Sequence, residues 1–492
     1  MELAFHGATG GTTGSCHLLR AGGKTLLLEC GLFQGRRALT YARNLRFDFR
    51  PREIDAVLLS HAHIDHSGRL PLLVQRGFAG PIYATAATRD LCDAMLSDSA
   101  NIQLRDAEYL NRQRLVDKVR GRRETPPKRW RRAEDEPPSK GPSNPAPHEV
   151  VPLYLEEDVR ATLKRFRVRE CGEWFSLGPQ LRVRFHDAGH ILGSTWIELE
   201  ERERRRVRRL VFTGDYGRVQ PILRDPTPLK AGDVMISECT YGDRRHPALD
   251  DTESQIGAAV ERLMQRGRGK LLVPAFAVGR TQHVLHTLER IFERRRGPAL
   301  RVVVDSPLAK RATEIVAAHS ECFDEEALAR LQRVQSGASK RLHVVFTENV
   351  DDSKALNRDP GPLVVVSASG MMESGRILHH LAWGISSPDT EIAIVGYQAR
   401  GTLGRRLVDG ETEVNILGFR YAVRARVTTM NGFSAHADRD GLLEALAPLA
   451  GEVETLFLVH GENDQRLPFA RTLRGAGFAR VECPKNAATW VV

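Results

Sequence analysis

The 492-residue chain has only seven cysteines, an odd number with no C-x-x-C pair, which excludes a disulfide-stapled scaffold and a zinc ribbon. Reduced thiols in a cytosol are expected instead. No uninterrupted apolar run reaches the roughly 18 residues needed to cross a bilayer. The stretch Met1–Gly7 has no basic region leading into a long apolar one, so neither secretion nor a membrane partner is expected and a cytoplasmic location follows. Aromatic residues are scarce, at 6%, which argues against a recognition surface built mainly on stacked rings. Acidic residues are also in deficit: 62 Asp and Glu face 72 Lys and Arg, and the net charge of +10 concentrates polyanions near the surface. With 41% hydrophobic and 27% charged residues the chain can bury a core, and its length predicts at least two domains.

The first half is rich in strand signals. Residues 8–19, 21–24 and 25–30 read as strand, tight turn and strand, a hairpin entering a sheet. The short apolar run Ile54–Ser60 reads as a buried strand that delivers the chain into a histidine cluster. From Asn111 to Pro147 prolines and the run Lys128-Arg129-Trp130-Arg131-Arg132 predict a mobile, mostly basic loop, for which phosphate contact and a solvated insertion without function weigh equally. Arg202 to Arg209 reads as an exposed hairpin tip. From about Tyr241 the pattern alternates: a helix near 252–266, a strand at Lys270–Pro274, a helix near 280–294, and strands at 301–305, 363–367 and 391–395. That alternation predicts a parallel sheet flanked by helices. From 426 to 492 histidine-bearing strand ends return, so the chain divides into 1–240, an inserted 241–425 and a closing 426–492.

The strongest chemical signal is His61-Ala62-His63-Ile64-Asp65-His66. Chance would place H-x-H-x-D-H in a chain of this composition on the order of once in a thousand. Imidazole and carboxylate suit zinc, and a short turn after a strand can aim two side chains at one ion and the next two at a neighbour. Two further candidates, His190 in Asp187-Ala188-Gly189-His190 and Asp215 in Thr213-Gly214-Asp215, follow apolar runs and lie beside a glycine that permits an exposing turn.

The order H-x-H-x-D-H, Gly-His, Thr-Gly-Asp resembles the metallo-β-lactamase superfamily. Ser237-Glu238-Cys239-Thr240-Tyr241, Phe433-Ser434-Ala435-His436-Ala437-Asp438 and Val459-His460-Gly461-Glu462 narrow the resemblance to the β-CASP nucleases, including the nuclease subunit of pre-mRNA 3′-end cleavage and its prokaryotic relatives. It covers nearly the whole chain apart from the basic loop. It implies an α/β fold, a metallo-β-lactamase αββα sandwich with an inserted α/β β-CASP domain, and two Zn2+ ions. By resemblance His61, His63 and His190 hold one zinc, Asp65, His66 and His460 the other, and Asp215 bridges them. A hydroxide between the metals would be the nucleophile at phosphorus. His436 would serve the leaving oxygen, oriented by Glu238, with Asp65 also in the reacting group.

Glu29 stands where the family usually has an aspartate behind the histidine ligands, and its extra methylene leaves a shifted or water-bridged contact open. His460 resembles the RNA-directed members, so the implied substrate is RNA. The helix opening at Gly279 with Arg280, Thr281 and Gln282, and the loop Ser369-Gly370-Met371 with Arg376 nearby, are candidate phosphate sites, as is Ser434 by its motif. Each is otherwise an ordinary helix cap. The resemblance favours endonucleolytic cutting, leaves 5′-to-3′ exonuclease activity open, and by itself points to a homodimer. A DNA nuclease, a small-molecule (thio)ester hydrolase and an inactive RNA-binding subunit remain as alternatives.

Overall fold

The computed structural model describes residues 1–35, 37–119, 150–203, 206–399 and 401–492. Two seven-stranded sheets face each other. The first runs, in spatial order, Ala488–Val491, Glu2–Phe5, His17–Ala21, Lys24–Leu28, Ala56–Leu58, Ile82–Ala84 and Phe166–Val168. The second runs Val481–Glu482, Thr455–Val459, Val234–Glu238, Arg206–Phe212, Thr195–Glu203, Leu181–Asp187 and Trp174–Gly178. Strands alternate their side chains between faces, so Leu3, Phe5, Leu26, Leu28 and Leu58 meet Phe185, Ile197, Leu199, Phe212 and Phe457 between the sheets. Helices cover the outer faces, which gives the expected αββα sandwich. The hairpin 17–28 forms as read, but residues 8–16 are loop rather than strand.

The third sheet has six strands, all parallel: Leu342–Phe346, Leu300–Val304, Leu363–Ser367, Lys270–Pro274, Thr390–Ile394 and Arg426–Thr429. Central strands such as Leu-Val-Val-Val-Ser at 363–367 are buried at every residue, as a parallel sheet covered on both faces requires. Helix Leu249–Arg266 shows how a flanking helix is specified. Ile256, Ala259, Val260 and Leu263 share one buried face, Asp250 and Asp251 lie in its positive first turn, and Gly267 ends it at φ +64°. The strand Arg426–Thr429 completes an edge of this sheet before the chain returns to the sandwich.

One continuous apolar cluster joins this α/β unit to the sandwich's helices, running through Leu91, Ile191, Ile222, Phe323 and Val302. Arg311 pairs with Asp93 at 2.7 Å and His319 with Asp90 at 2.8 Å along the same seam. Both partners of the seam on the sandwich side come from helix Ala86–Val119. That helix corrects the loop expected from Asn111: Arg112-Gln113-Arg114-Leu115 are good helix formers and no proline intervenes before Pro126. The rest of the basic segment, residues 120–149, lies outside the described residues. Arg202 and Arg206–Arg209 belong to paired strands rather than to a tip, and residues 204 and 205 between them lie outside the described residues.

Candidate metal centre

Each donor sits where a strand stops. After Ala56–Leu58 the chain runs extended through His61 to His63, which begins the four-residue helix Ile64–Ser67, so Asp65 and His66 project from a helical turn while His61 and His63 project from an extended one. His190, Asp215 and His460 follow the strands ending at Asp187, Phe212 and Val459. Close backbone approach holds these turns together. A Cβ on Gly31 would lie 1.6 Å from the Asp65 carbonyl oxygen, and one on Gly217 would lie 2.1 Å from that of Gly189 beside His190. His460 itself takes φ +51°, a conformation side chains rarely adopt, with its N–H donated to the Ala8 carbonyl at 2.7 Å.

The seven side chains converge into two groups sharing one carboxylate. His63 Nδ1 lies 3.1 Å from His61 Nε2 and 3.2 Å from His190 Nε2, and Asp215 Oδ2 lies 3.5 Å from both of those Nε2 atoms. His66 Nε2 lies 3.1 Å from His460 Nε2 and 3.9 Å from Asp65 Oδ2, while His460 Nε2 is 3.5 Å from that same oxygen. Asp215 Oδ2 is also 3.4 Å from His66 Nε2, which puts it between the groups. Bonds of about 2.0–2.1 Å arranged tetrahedrally separate ligand atoms by about 3.3–3.4 Å, so these spacings fit ions held at two centres. Two buried polar atoms here, His190 Nδ1 and Asp215 Oδ1, have no hydrogen-bond partner.

Electrostatics prepares the same donor set. Burial lowers the pKa of His61 and His190 well below the ordinary histidine value and that of His63 to about 4, so all three are neutral with lone pairs to give. Burial alone would raise the Asp215 carboxyl, but the charges of His460, His66 and His436 hold it well below the usual carboxylate range. The far ring nitrogens are fixed from behind: Ser60 Oγ is 2.9 Å from His61 Nδ1, and Thr240 Oγ1 is 3.0 Å from His460 Nδ1. Glu29 Oε2 meets His66 Nδ1 directly at 2.9 Å, while Oε1 accepts the Ser60 N–H at 2.7 Å. The contact is therefore direct rather than water-bridged, made from a backbone at φ +66°.

His436 stands over this centre with Nε2 3.9 Å from Asp215 Oδ2. Its Nδ1 is 3.0 and 3.1 Å from the two oxygens of fully buried Glu238, which also accepts the Tyr216 N–H at 2.7 Å. Burial lowers the His436 pKa, but Glu238 and Asp215 outweigh it and raise the value to about 9. The imidazole is therefore protonated at neutral pH, one N–H tied to Glu238 and the other facing the donors.

Three family models match parts of the chain: the metallo-beta-lactamase superfamily over residues 9–169, the Beta-Casp domain over 281–407 and the Zn-dependent metallo-hydrolase RNA specificity domain over 420–484. Ribonuclease TTHA0252 of Thermus thermophilus is 38% identical over 476 residues, 96% of each chain. The chain belongs to the β-CASP family of metallo-β-lactamase-fold RNA nucleases. This β-CASP hydrolase is also 30% identical to transcription termination factor FttA of Methanosarcina mazei over 461 residues, 91% of the chain and 65% of that protein. A crystal structure of a protein of unknown function from Enterococcus faecalis V583 shares its fold, with a TM-score of 0.50 at 13% identity and coverage of 100% and 99%.

The anticipated phosphate loops of the hydrolase are another matter. The Arg280 and Thr281 N–H groups donate to the Val278 and Phe276 carbonyls, the Thr281 hydroxyl donates to Phe276, and the Gln282 amide donates to Ala277 and Thr313. Arg376 is spent on Asp305 at 2.7 Å and on the Glu348 carbonyl at 2.9 Å, because the buried Asp305 carboxylate demands cationic and N–H partners. Ser369 Oγ accepts the Glu373 N–H, and the Gly370 and Met371 carbonyls accept from Gln398 and Gly404. Thr281, Gln282 and Arg376 are thus spent within the protein, whereas these contacts at Ser369, Gly370 and Met371 are accepted ones and occupy no donor of theirs. Arg280 differs: its Nε and Nη1 are buried without partners, and burial lowers its pKa to about 10. Ser434 is buried against the Tyr241 side chain.

Two residues that the sequence reading passed over belong here. Arg218, whose Nη1 is likewise buried and unpartnered, ties its N–H to the Ala435 carbonyl beside His436. His246 approaches the His436 carbonyl at 3.2 Å through Nε2. The available cue was that Arg218 follows Asp215 by three residues, on the loop that already carried a donor.

Proposed function

We propose that the chain is a two-zinc ribonuclease that cuts RNA endonucleolytically, with 5′-to-3′ exonuclease activity as a secondary capacity. The observation that carries it is the convergence of seven donors on two centres that share Asp215, beneath a histidine held by Glu238. His61, His63 and His190 would hold one zinc, Asp65, His66 and His460 the other, and Asp215 both. When bound, the ions supply activation of water for attack on phosphorus and charge to offset the developing phosphorane. The chain's own part is then positional and protonic. Asp65, beside His66 and His460, keeps their donor atoms oriented, and Glu238 retains the Nδ1 proton of His436 so that Nε2–H can be delivered to the leaving ribose oxygen. Arg218, Arg280 and Ser434 line the approach for the phosphate backbone. RNA as substrate is supported by the ribonuclease relative and by the match to an RNA specificity domain. A homodimer in the cytoplasm completes the reading; among the described residues no helix is long and apolar enough to cross a membrane.

Zinc-loaded protein, with His63→Ala and His436→Ala variants, should be given an internally labelled RNA and the same-sequence DNA. Internal RNA fragments that vanish in both variants are the expected result. Cleavage of the DNA alone, or of a small ester alone, overturns the substrate assignment while sparing the metal centre.

A further inference from the structure

A cavity of about 650 Å³ lies away from the metal centre, at the open side of the sandwich, where the first sheet ends at strand Phe166–Val168. Its wall is cationic. Lys164, Arg165, Arg167 and Arg169 line it, with Tyr83 at its floor. Among the described residues none of these four cations makes an ion pair with a carboxylate. Their contacts are to backbone carbonyls: Arg165 to Ala79, Arg167 to Lys164 and Phe166, Arg169 to Val168. Arg165 Nε and Arg169 Nε are buried with no partner at all.

The strand's alternation explains the arrangement. Phe166 turns into the apolar cluster beneath the helices, which sends 165, 167 and 169 to the other face. There the Arg169 guanidinium lies 5.1 Å over the Tyr83 ring and 5.0 Å over the Phe175 ring of the opposite sheet, which fixes its position and leaves donors unspent. Charges two residues apart on a strand recur every ~6.6 Å, a repeat matched to a run of successive phosphates rather than to one small anion.

The ladder also has a direction. Phe166–Val168 is parallel to Ile82–Ala84 and Ala56–Leu58, whose carboxyl ends lead to the metal rim. Arg169 donates its N–H to the Ala84 carbonyl, and the next residue, Thr85, donates its hydroxyl to the Gly193 carbonyl in the loop that carries His190. From Arg165 to Arg169 the row therefore climbs toward the edge where the donors gather, two strands away.

We propose that this cleft is an accessory RNA site that holds the backbone of a single strand beyond the nucleotides engaged at the metal centre. The inference rests on the ribonuclease reading above. It makes length a determinant of substrate choice: RNA reaching the cleft gains phosphate contacts that a fragment confined to the metal centre cannot make.

The exposed pair Lys164→Glu/Arg167→Glu tests it, with Arg167→Gln as a milder variant and Lys340→Glu as a control on the distant α/β unit. Melting temperatures confirm folding. With zinc-loaded protein, kcat/KM is measured on a labelled 20-nucleotide RNA and on a trinucleotide across a salt series. The expected result is that the preference for the longer RNA falls about tenfold in the double variant and less in Arg167→Gln, through KM rather than kcat. The salt dependence of log KM on the long RNA should lose about 1.4 in slope, for two lost phosphate contacts. Lys340→Glu should retain both. If the wild type cuts RNA and the double variant keeps the full length preference and salt slope, the cleft is only a charged sheet edge that resists strand pairing, and the proposal fails alone. If the wild type cuts no RNA of either length, the ribonuclease reading fails and takes the proposal with it.

Discussion

The rim of the sandwich and the helix-opening loops of the six-stranded sheet carry the same kinds of residue, yet they use them in opposite ways. At the rim, polar side chains converge with lone pairs or donors unspent: neutral His61, His63 and His190, the orphaned Asp215 Oδ1, and Arg218 nearby, joined by Arg280 from a helix opening of the α/β unit. In the α/β unit Arg376, Gln282 and Thr281 are consumed by their neighbours. What separates chemistry from scaffolding here is whether a polar atom's partner is already present in the protein.

The sharpest break of that comparison comes from removing a donor. Asp215→Ala, which strips the carboxylate shared by both groups, should abolish RNA cleavage and lower the zinc content measured by elemental analysis of the purified protein. A protein that keeps two zincs and full turnover would refute the bridging role. Next in size, His436→Ala should retain zinc but lose roughly 10²–10⁴-fold in kcat, as expected for loss of a general acid. The wild-type rate should also fall on the alkaline side, because His436 must be protonated to act and Glu238 raises its pKa above the ordinary histidine value. Glu238→Gln removes the main charge that raises it and should bring that alkaline limb down toward neutrality.

Smaller effects should divide the two regions. Glu29→Gln keeps the shape but weakens the hold on His66 Nδ1, and about 10–100-fold poorer zinc affinity in a chelator titration is expected. Arg376→Ala should leave KM for RNA near wild type but destabilise the protein by roughly 3 kcal/mol in denaturant unfolding, the low end for breaking a buried pair, since His380 still contacts Asp305 at 2.7 Å. Arg280→Ala should show the reverse, a raised KM with little change in stability. If Arg376→Ala raised KM as much as Arg280→Ala, the division drawn here would collapse.

The donors were legible in sequence because each closes a recognisable apolar strand, and an imidazole or carboxylate at such a terminus is hard to satisfy any other way. Strands such as Lys270–Pro274 and Leu363–Ser367 were legible for a related reason: a parallel strand covered on both faces must read as an unbroken apolar run. The internal bonding of the Gly279 helix opening was not, since a helix start with glycine and arginine looks the same whether its amides face solvent or, as at Phe276 and Val278, fold back on carbonyls five and two residues earlier. Nor could local pattern place Arg165, Arg167 and Arg169, whose common face appears only once Phe166 is seen to turn inward. The helix that runs on to Val119 was hidden by reading the proline-rich segment too far toward its amino end.

One feature of the metal rim bears on when the protein becomes able to act. His61, His63, His190 and Asp215 are all made within the first 215 residues, but the partner of Asp65 and His66 is His460, and its strand pairs with Val234–Glu238 across the whole inserted unit. During synthesis on the ribosome the first group of donors can gather before the inserted unit has been made, whereas the second stays open until residue 460 has emerged. A nascent chain that has not yet reached residue 460 therefore carries half a centre, and the messenger from which it is being read is not exposed to a finished nuclease before the inserted unit and the strand beyond it are made.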